Sequence, residues 1–127
     1  MHLVYLVIGL ALAQFIFFGV LVGRARGQYG VAAPATSGHE IFDRHFRVQM
    51  NTLELLVVLV PALLLFANYF GANYAAFLGA IYLVGRFVFA SSYVKDPKGR
   101  SLGFGLSMMP ILVLVIGTLV GAVRALF

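Results

Sequence analysis

Four long apolar segments dominate the pattern of hydrophobic and polar positions along the chain. They cover approximately residues 3–22, 44–70, 74–94 and 102–125, and each is near or above the roughly 20 residues that an α-helix needs to cross a bilayer. Membrane β-strands are about half as long and alternate in polarity, which these segments do not. The pattern predicts an all-α integral membrane protein, a bundle of four transmembrane helices in a single domain at 1–127.

The connections between the predicted helices differ in length. The first, from Gly23 to about Asp43, is rich in Gly, Ala, Pro and small polar residues, so we expect an ordered or half-ordered loop. The second contains Gly71-Ala72-Asn73, and the third is KDPKGRS at 95–101. Both are short enough to make the helices that they join antiparallel neighbours.

Composition narrows the possible chemistry. The chain is 62% hydrophobic, only 10% charged and free of cysteine, which excludes disulfides, thiolate metal sites and a thiol nucleophile of the protein's own. His39 and His45 are not at a metal-ligand spacing, so we expect no metal. The first apolar segment has no Lys or Arg before it and is longer than a signal-peptide core, so we expect it to remain as a helix.

Positive charge is concentrated at two of the three connections, while the second connection carries none. The seven cations at the first and third are Arg24, Arg26, Arg44, Arg47, Lys95, Lys98 and Arg100. The positive-inside rule predicts that this end is cytoplasmic and that both termini lie on the opposite side. The same cations account for the net charge of +5 without a nucleic-acid partner.

The stretch FRVQMNTLELL at 46–56 places polar residues at the mouth of a membrane-spanning segment. Arg47, Asn51 and Glu54 follow one another at i, i+4 and i+7, which puts them on one helix face. Arg86 and Tyr93 share a face of the third helix by the same spacing. Ionisable groups at membrane depth usually face a protein interior or a watery cavity, so these residues are candidates for a functional site.

Two interpretations of this polar stretch remain open. If the second and third helices are antiparallel and pair residue by residue on either side of the turn near residue 71, Arg86 lies only about 4.5 Å deeper in the membrane than Glu54. The two residues could then form a purely structural ion pair. Such a pair leaves Arg47, Tyr93 and the nearby Arg100 unexplained. Together these groups offer cations, amides, a phenol and one carboxylate, which suit a zwitterionic, net-anionic, peptide-like ligand.

The sequence resembles the family of membrane-associated proteins in eicosanoid and glutathione metabolism. The segment FRVQMNTLELLVVLVPALLLFA at 46–67 is similar to the second-helix signature of that family, YLVGRFVFASSYV at 82–94 to its third-helix segment, and GRS at 99–101 to the basic turn that follows. The resemblance implies a homotrimer of four-helix subunits, with glutathione bound between neighbouring subunits near the cytoplasmic face.

The resemblance also implies roles for individual residues. Those that match glutathione-binding positions are Arg26, Arg47, Gln49, Asn51, Glu54 and Tyr93. Arg100 matches the arginine that stabilises the thiolate; a free thiol with a pKa of about 8.5 is mostly protonated at neutral pH, and a close guanidinium favours the nucleophilic anion. Ser101 is expected to have a turn or capping role and Arg86 a structural one.

Three positions depart from the family pattern. Leu55 and Phe89 stand where leukotriene-synthase-like members have tyrosines that contact the ligand, and Gly27 occupies a site that is basic in some members. Two hydroxyl contacts are therefore lost. We expect weaker glutathione binding, or a cleft occupied by another thiol or a lipid.

The expected function is that of a multi-pass enzyme of a bacterial inner membrane. It would conjugate a glutathione thiolate to lipophilic electrophiles, or reduce lipid hydroperoxides, with glutathione as co-substrate. One alternative is a catalytically silent, lipid-binding member of the same family. A small multidrug transporter is disfavoured, because such transporters carry a glutamate in the first helix and residues 3–22 here contain only Gln14.

Overall fold

The computed structural model describes residues 1–127, and four long α-helices account for most of them. Helix α1 runs over His2–Tyr29, α2 over Glu40–Phe70, α3 over Ala72–Lys95 and α4 over Ser101–Leu126, with a short 3₁₀ helix at Pro97–Arg100 between the last two. All four are long and apolar enough to cross a membrane. The prediction of an all-helical chain with four helices capable of spanning a membrane is confirmed.

Helices α2 and α3 form the centre of the bundle. They are joined by a turn at Gly71, which adopts a φ of 100° that a residue with a side chain would resist. Helix α1 packs against both α2 and α3, and α4 packs against both as well. The main core draws buried residues from all four helices, among them Val4, Leu59, Tyr82 and Leu114.

The first connection is shorter than predicted, because α1 continues to Tyr29 and α2 begins at Glu40. Residues 23–29 contain no proline, and Ala25 on this extension is buried together with Val22, Val31 and Phe42. The helix ends only at Gly30, whose left-handed conformation has a φ of 69°. What remains as a loop is 30–39.

The remaining loop is ordered by contacts at both of its ends. Ser37 and the backbone N–H of Gly38 donate hydrogen bonds of 3.0 and 3.1 Å to the Asp43 carboxylate, and His39 caps α2 by accepting from the Ile41 N–H. The His39 ring stacks on Tyr29 with 4.1 Å between ring centres. These contacts hold the start of α2 close to the end of α1.

The outer surface of the bundle is apolar. Large hydrophobic side chains such as Ile16, Val57 and Phe77 are about two-thirds exposed, and a water-soluble monomer rarely shows so continuous an apolar surface. In a bilayer such side chains can face the lipid acyl chains. Most of the charged residues lie at one end of the bundle, around the loop 30–39 and the 3₁₀ helix; we call this the basic end.

Candidate active site

A cavity of about 580 Å³ lies at the basic end, between α2, α3 and α4. We call it the polar cavity. Its lining residues come from three helices and are Arg47, Asn51, Phe89, Tyr93, Arg100, Ser101, Phe104 and Gly105. Five of the residues predicted from the sequence for the binding site or its surroundings are thus neighbours in space, namely Arg47, Asn51, Tyr93, Arg100 and Ser101.

Close packing of α3 on α4 gives this cavity its shape. A side chain at Gly103 would collide with the backbone of Phe89, and one at Gly85 would lie 2.7 Å from the backbone of Leu106 and Ser107. Small residues at both points let the two helices approach closely, as is typical of helix contacts in membranes. The 3₁₀ helix at Pro97–Arg100 then reverses the chain direction. Arg100, which directly precedes α4, therefore lies beside the last turns of α3.

The polar cavity presents hydrogen-bond donors and positive charge. Arg47 and Arg100 can only donate, and Tyr93 and Ser101 offer hydroxyl groups. No carboxylate lines the cavity, and it opens at the first turn of α4, where the helix dipole favours an anion. This arrangement suits a ligand with carboxylates and, near Arg100, a thiolate.

Arg86 lies beneath the polar cavity and is completely buried. Its Nε donates to Ser107 Oγ at 2.9 Å, and its Nη1 donates to Asn51 Oδ1 at 2.7 Å and to Thr52 Oγ1 at 3.2 Å. The guanidinium carbon lies 4.4 Å from the centre of the Phe89 ring, and Nη2 has no hydrogen-bond partner. The charge of Arg86 is therefore held by neutral oxygens and an aromatic ring, without a carboxylate.

This network fixes the orientation of the Asn51 amide. A guanidinium has only donors, so the Asn51 atom that it contacts at 2.7 Å must be the carbonyl oxygen. The amide NH₂ of Asn51 is left for the polar cavity that the residue lines. Asn51 therefore adds one more donor to the site, because Arg86 occupies its acceptor.

The possible ion pair between Glu54 and Arg86 is not formed in the subunit. Arg86 lies on the buried side of α3 and bonds only to neutral partners, whereas Glu54 lies on an exposed face of α2 and pairs with Arg47 at 3.0 Å. Pairing the two helices residue by residue across the turn gave the depth of the two residues but not the direction in which each faces around its helix. The interpretation of Glu54 and Arg86 as a packing pair is therefore wrong.

The Arg47–Glu54 pair lies at the rim of the polar cavity. Both side chains are more than half exposed, at 51% and 58%, and pairs of this kind contribute little to stability. Arg47 also lines the cavity, and Glu54 does not. Leu53 and Val57, which lie on either side of Glu54 in the sequence, are exposed and apolar.

Besides Glu54, two residues matched by the resemblance lie outside the polar cavity. Arg26 donates from Nη1 to the Ala35 carbonyl at 2.6 Å and lies 4.8 Å from the centre of the Phe42 ring. Gln49 faces α1, where its side chain fills the space beside Gly19. Within one subunit, neither residue contributes to the surface of the cavity.

The positions that depart from the family pattern differ in their access to the site. Phe89 lines the polar cavity and stacks on Tyr93 with 5.4 Å between ring centres. Leu55 is buried in the main core, and Gly27 lies on α1 with open space beside it. Only Phe89 stands where a hydroxyl group could reach a ligand in this cavity.

The sequence interpretation missed four residues that build or line the site, namely Thr52, Phe104, Gly105 and Ser107. Thr52 and Ser107 are fully buried, and each also donates to a carbonyl of its own helix, at 2.8 and 2.7 Å. Their signal in the sequence was a polar residue inside an apolar helix, which indicates an interior-facing position. Phe104 and Gly105 carry no comparable signal.

Most of the chain is similar in sequence to one known protein family. A model of the MAPEG family matches residues 4–120. An uncharacterized protein of Synechocystis is 44% identical over 90% of this chain and 83% of its own length. The human microsomal glutathione S-transferase 2 is 35% identical over 89% of this chain and 75% of its own. Leukotriene C4 synthase of Rattus norvegicus is 31% identical over 66% of this chain and 56% of its own.

Proposed function

The chain belongs to the MAPEG family, and we propose that it is a membrane-bound glutathione transferase. The similarity to microsomal glutathione S-transferase 2 supports a glutathione transferase activity. The observation that carries the proposal is the polar cavity, where Arg47, Asn51, Tyr93 and Arg100 converge from three different helices or their ends.

In the proposed mechanism the protein binds glutathione and stabilises its thiolate. Arg47 and the Asn51 NH₂ donate to the carboxylates and carbonyls of the tripeptide, while Tyr93 donates from its hydroxyl group. The exposed Glu54 carboxylate accepts from the α-ammonium group of the ligand. Arg100, beside the N-terminus of α4, lowers the pKa of the thiol and keeps the sulfur anionic.

The chemical step is nucleophilic attack by the thiolate on a lipophilic electrophile. A carbon–sulfur bond forms and the leaving group departs with its electron pair, or the electrophilic double bond accepts the pair and is then protonated. The protein contributes proximity and electrostatic stabilisation. Reduction of a lipid hydroperoxide by the same thiolate, with a second glutathione completing the disulfide, is the related reaction that the site would support.

We also propose that the complete site forms in a homotrimer, between adjacent subunits. Arg26 and Gln49 lie on or beside α1 and away from the polar cavity of their own subunit. The exposed apolar face of α2, with Leu53 and Val57, offers a surface on which a neighbouring α1 could pack. That packing would bring Arg26 and Gln49 of one subunit towards the rim where Arg47 and Glu54 of the next are exposed.

The test of the activity is conjugation of glutathione to a chromogenic electrophile by the purified protein. Arg100→Ala should reduce turnover by about 10² to 10³, the scale expected for loss of one donor that stabilises developing charge. Lys98→Ala is the matched control, since it removes a cation from the same exposed turn but not from the cavity. Equal losses in both variants, or no conjugation by the unmodified protein, would contradict the proposal.

The trimer is tested by complementation between two chains with weakened glutathione binding, assayed at glutathione concentrations far below the Kd of either variant. One chain carries Arg47→Ala and the other carries Gln49→Ala, and both are co-expressed. If each site uses one residue from each of two subunits, about a quarter of the sites in randomly mixed trimers contain both native residues, and activity returns to that extent. Activity that stays at the level of the separate variants would place the whole site in one subunit.

The second candidate function is a catalytically silent, lipid-binding protein of the same family. Its supporting observation is the replacement of tyrosine by Phe89 in the polar cavity, which removes a hydroxyl contact to the ligand. A ligand that binds only the folded protein raises the free energy of unfolding by RT ln(1 + [L]/Kd), so millimolar glutathione should raise the melting temperature if it binds. The absence of a thermal shift at millimolar glutathione would favour this second function.

A further inference from the structure

A second cavity, of about 720 Å³, lies at the same end of the bundle on the other side of the α2–α3 pair. Helices α1, α2 and α3 form its walls, and we call it the α1-side groove. Its deeper part is aromatic, with Phe17, Phe18 and Phe87 in contact with one another. None of the residues that line the polar cavity lines this groove.

The outer part of the α1-side groove is polar and basic. Arg44, His45 and Lys95 line it there, together with Ser91 and Ser92. Arg44 donates to the carbonyls of Val94 and Lys95 at 2.9 and 3.2 Å and also pairs with Glu40. Lys95 is exposed and forms no ion pair, so its ammonium group is available to a ligand.

None of the carboxylates near this end forms an ion pair with Lys95, and none of them lines the groove. Glu40 is paired with Arg44, Asp43 accepts from Ser37 and Gly38, and Asp96 accepts from the Lys98 N–H. With Glu40 and Arg44 paired, Lys95 leaves the mouth of the groove with a net positive charge. A ligand with an anionic head would meet complementary charge there.

The order of polar and apolar groups also matches the depth profile of a bilayer. Lys95 and Phe87 are separated by eight residues along α3, which is about 12 Å along the helix axis. Basic residues near a membrane surface attract anionic lipids, and aromatic rings deeper in the helix can contact acyl chains. A volume of about 720 Å³ is also within the usual range of small-molecule sites.

We propose that the α1-side groove binds one anionic phospholipid of the surrounding bilayer. Its phosphate would lie beside Lys95 and the Ser92 hydroxyl group, and the upper part of one acyl chain would lie against Phe17, Phe18 and Phe87. This site is independent of the glutathione site, because the two cavities open on different sides of the α2–α3 pair.

The test uses native mass spectrometry of the full chain in detergent, with phosphatidylglycerol and phosphatidylcholine that carry identical acyl chains. Phosphatidylglycerol should be retained preferentially. Lys95→Ala should weaken that retention about fivefold, the factor expected for one basic residue at a membrane surface. Lys98→Ala is the matched control, since Lys98 is exposed at the same end but does not line the groove.

A second variant separates the groove from general surface charge. Ser91→Phe fills the groove without changing any charge, and it should abolish phosphatidylglycerol retention while glutathione binding persists. Equal retention of the two lipids, equal losses in Lys95→Ala and Lys98→Ala, or unchanged retention in Ser91→Phe would overturn the proposal. Inorganic phosphate that competes as well as phosphatidylglycerol would also overturn it, since no acyl chain would then be recognised.

Discussion

The two cavities at the basic end are built from the same pair of helices but differ in chemistry. The polar cavity presents Arg47 from α2 and Phe89 and Tyr93 from α3, whereas the α1-side groove presents Val48 from α2 and Ala90 and Val94 from α3. Each of these three residues of the polar cavity is followed directly in the sequence by one of the three residues of the groove. One site is rich in donors, and the other is aromatic with a basic mouth.

The two cavities differ because each residue faces a direction set by its position around the helix axis. Consecutive helical residues differ by 100° around the axis, so neighbours in sequence can face separate cavities. Arg47 and Asn51 are one turn apart and share a cavity, while Val48 lies between them in sequence and faces the other side. Substitutions on one side should therefore leave the other side unaffected.

The largest effect on glutathione affinity should come from Arg47→Ala. A hydrogen bond to a charged group contributes about 1.5 to 3 kcal/mol, so the Kd should rise about 10- to 100-fold. Stability should change little, because Arg47 is more than half exposed and its only ion pair is with the exposed Glu54. Isothermal calorimetry and thermal unfolding measure the two effects.

Glu54→Gln should weaken binding in the same direction, and Ser91→Phe in the other cavity is the control that should leave the Kd unchanged. A large loss of stability in Glu54→Gln with normal glutathione binding would show that Glu54 supports the fold and does not bind the ligand. A change of Kd in Ser91→Phe would show that the two cavities are coupled.

Arg86→Met should weaken glutathione binding about tenfold while stability is unchanged or higher. Arg86 is a buried cation without a carboxylate partner, and replacing buried charge by an apolar side chain of similar size is often neutral or stabilising. The Asn51 amide would then be free to rotate, and its orientation towards the ligand would be lost. Calorimetry and thermal unfolding report the two changes separately.

Gln14→Met is the matched control for Arg86→Met. Gln14 is also buried, but its amide donates to the Leu83 carbonyl at 3.0 Å, away from the polar cavity. Glutathione affinity should be unaffected in this variant. If Arg86→Met kept the native Kd, the role assigned to Arg86 in orienting Asn51 would be wrong.

Phe89→Tyr should have the smallest effect, a gain of a fewfold in glutathione affinity. The added hydroxyl group restores one donor that the family pattern has at this position, and a single hydrogen bond contributes about 1 kcal/mol. Phe87→Tyr, two residues earlier and in the α1-side groove, should bring no gain. Competition binding against a labelled glutathione analogue resolves such a difference, and equal gains in both variants would rule out a specific contact.

Sequence alone predicted the helices and the depth of the polar residues, because both depend on length, composition and spacing along one helix. Arg47, Asn51 and Tyr93 were placed on helix faces by their i+4 and i+7 spacing, and the structure brings them together with Arg100. The limits of α1 were missed because residues 23–29 include two arginines and a glutamine but no helix-breaking proline. Polarity marked the end of the apolar segment, not the end of the helix.

Contacts between helices could not be predicted in the same way. The partner of Arg86 depends on how α3 is rotated against α2 and α4, and that rotation is set by the close packing at Gly85 and Gly103. The α1-side groove was missed because its residues become a site only when three helices meet. Single residues such as Phe17 or Ala90 are ordinary in a membrane helix.

The central claim is that the polar cavity holds glutathione with its thiol ionised beside Arg100. Titration of the ultraviolet absorbance of the bound thiolate against pH tests it most directly, in the unmodified protein and in Arg100→Ala. A cation favours the anionic sulfur, so the bound thiol should have a pKa below its free value of about 8.5, and Arg100→Ala should raise that pKa by about 1 to 3. Superimposable curves for the two proteins, with glutathione bound in both, would contradict the claim.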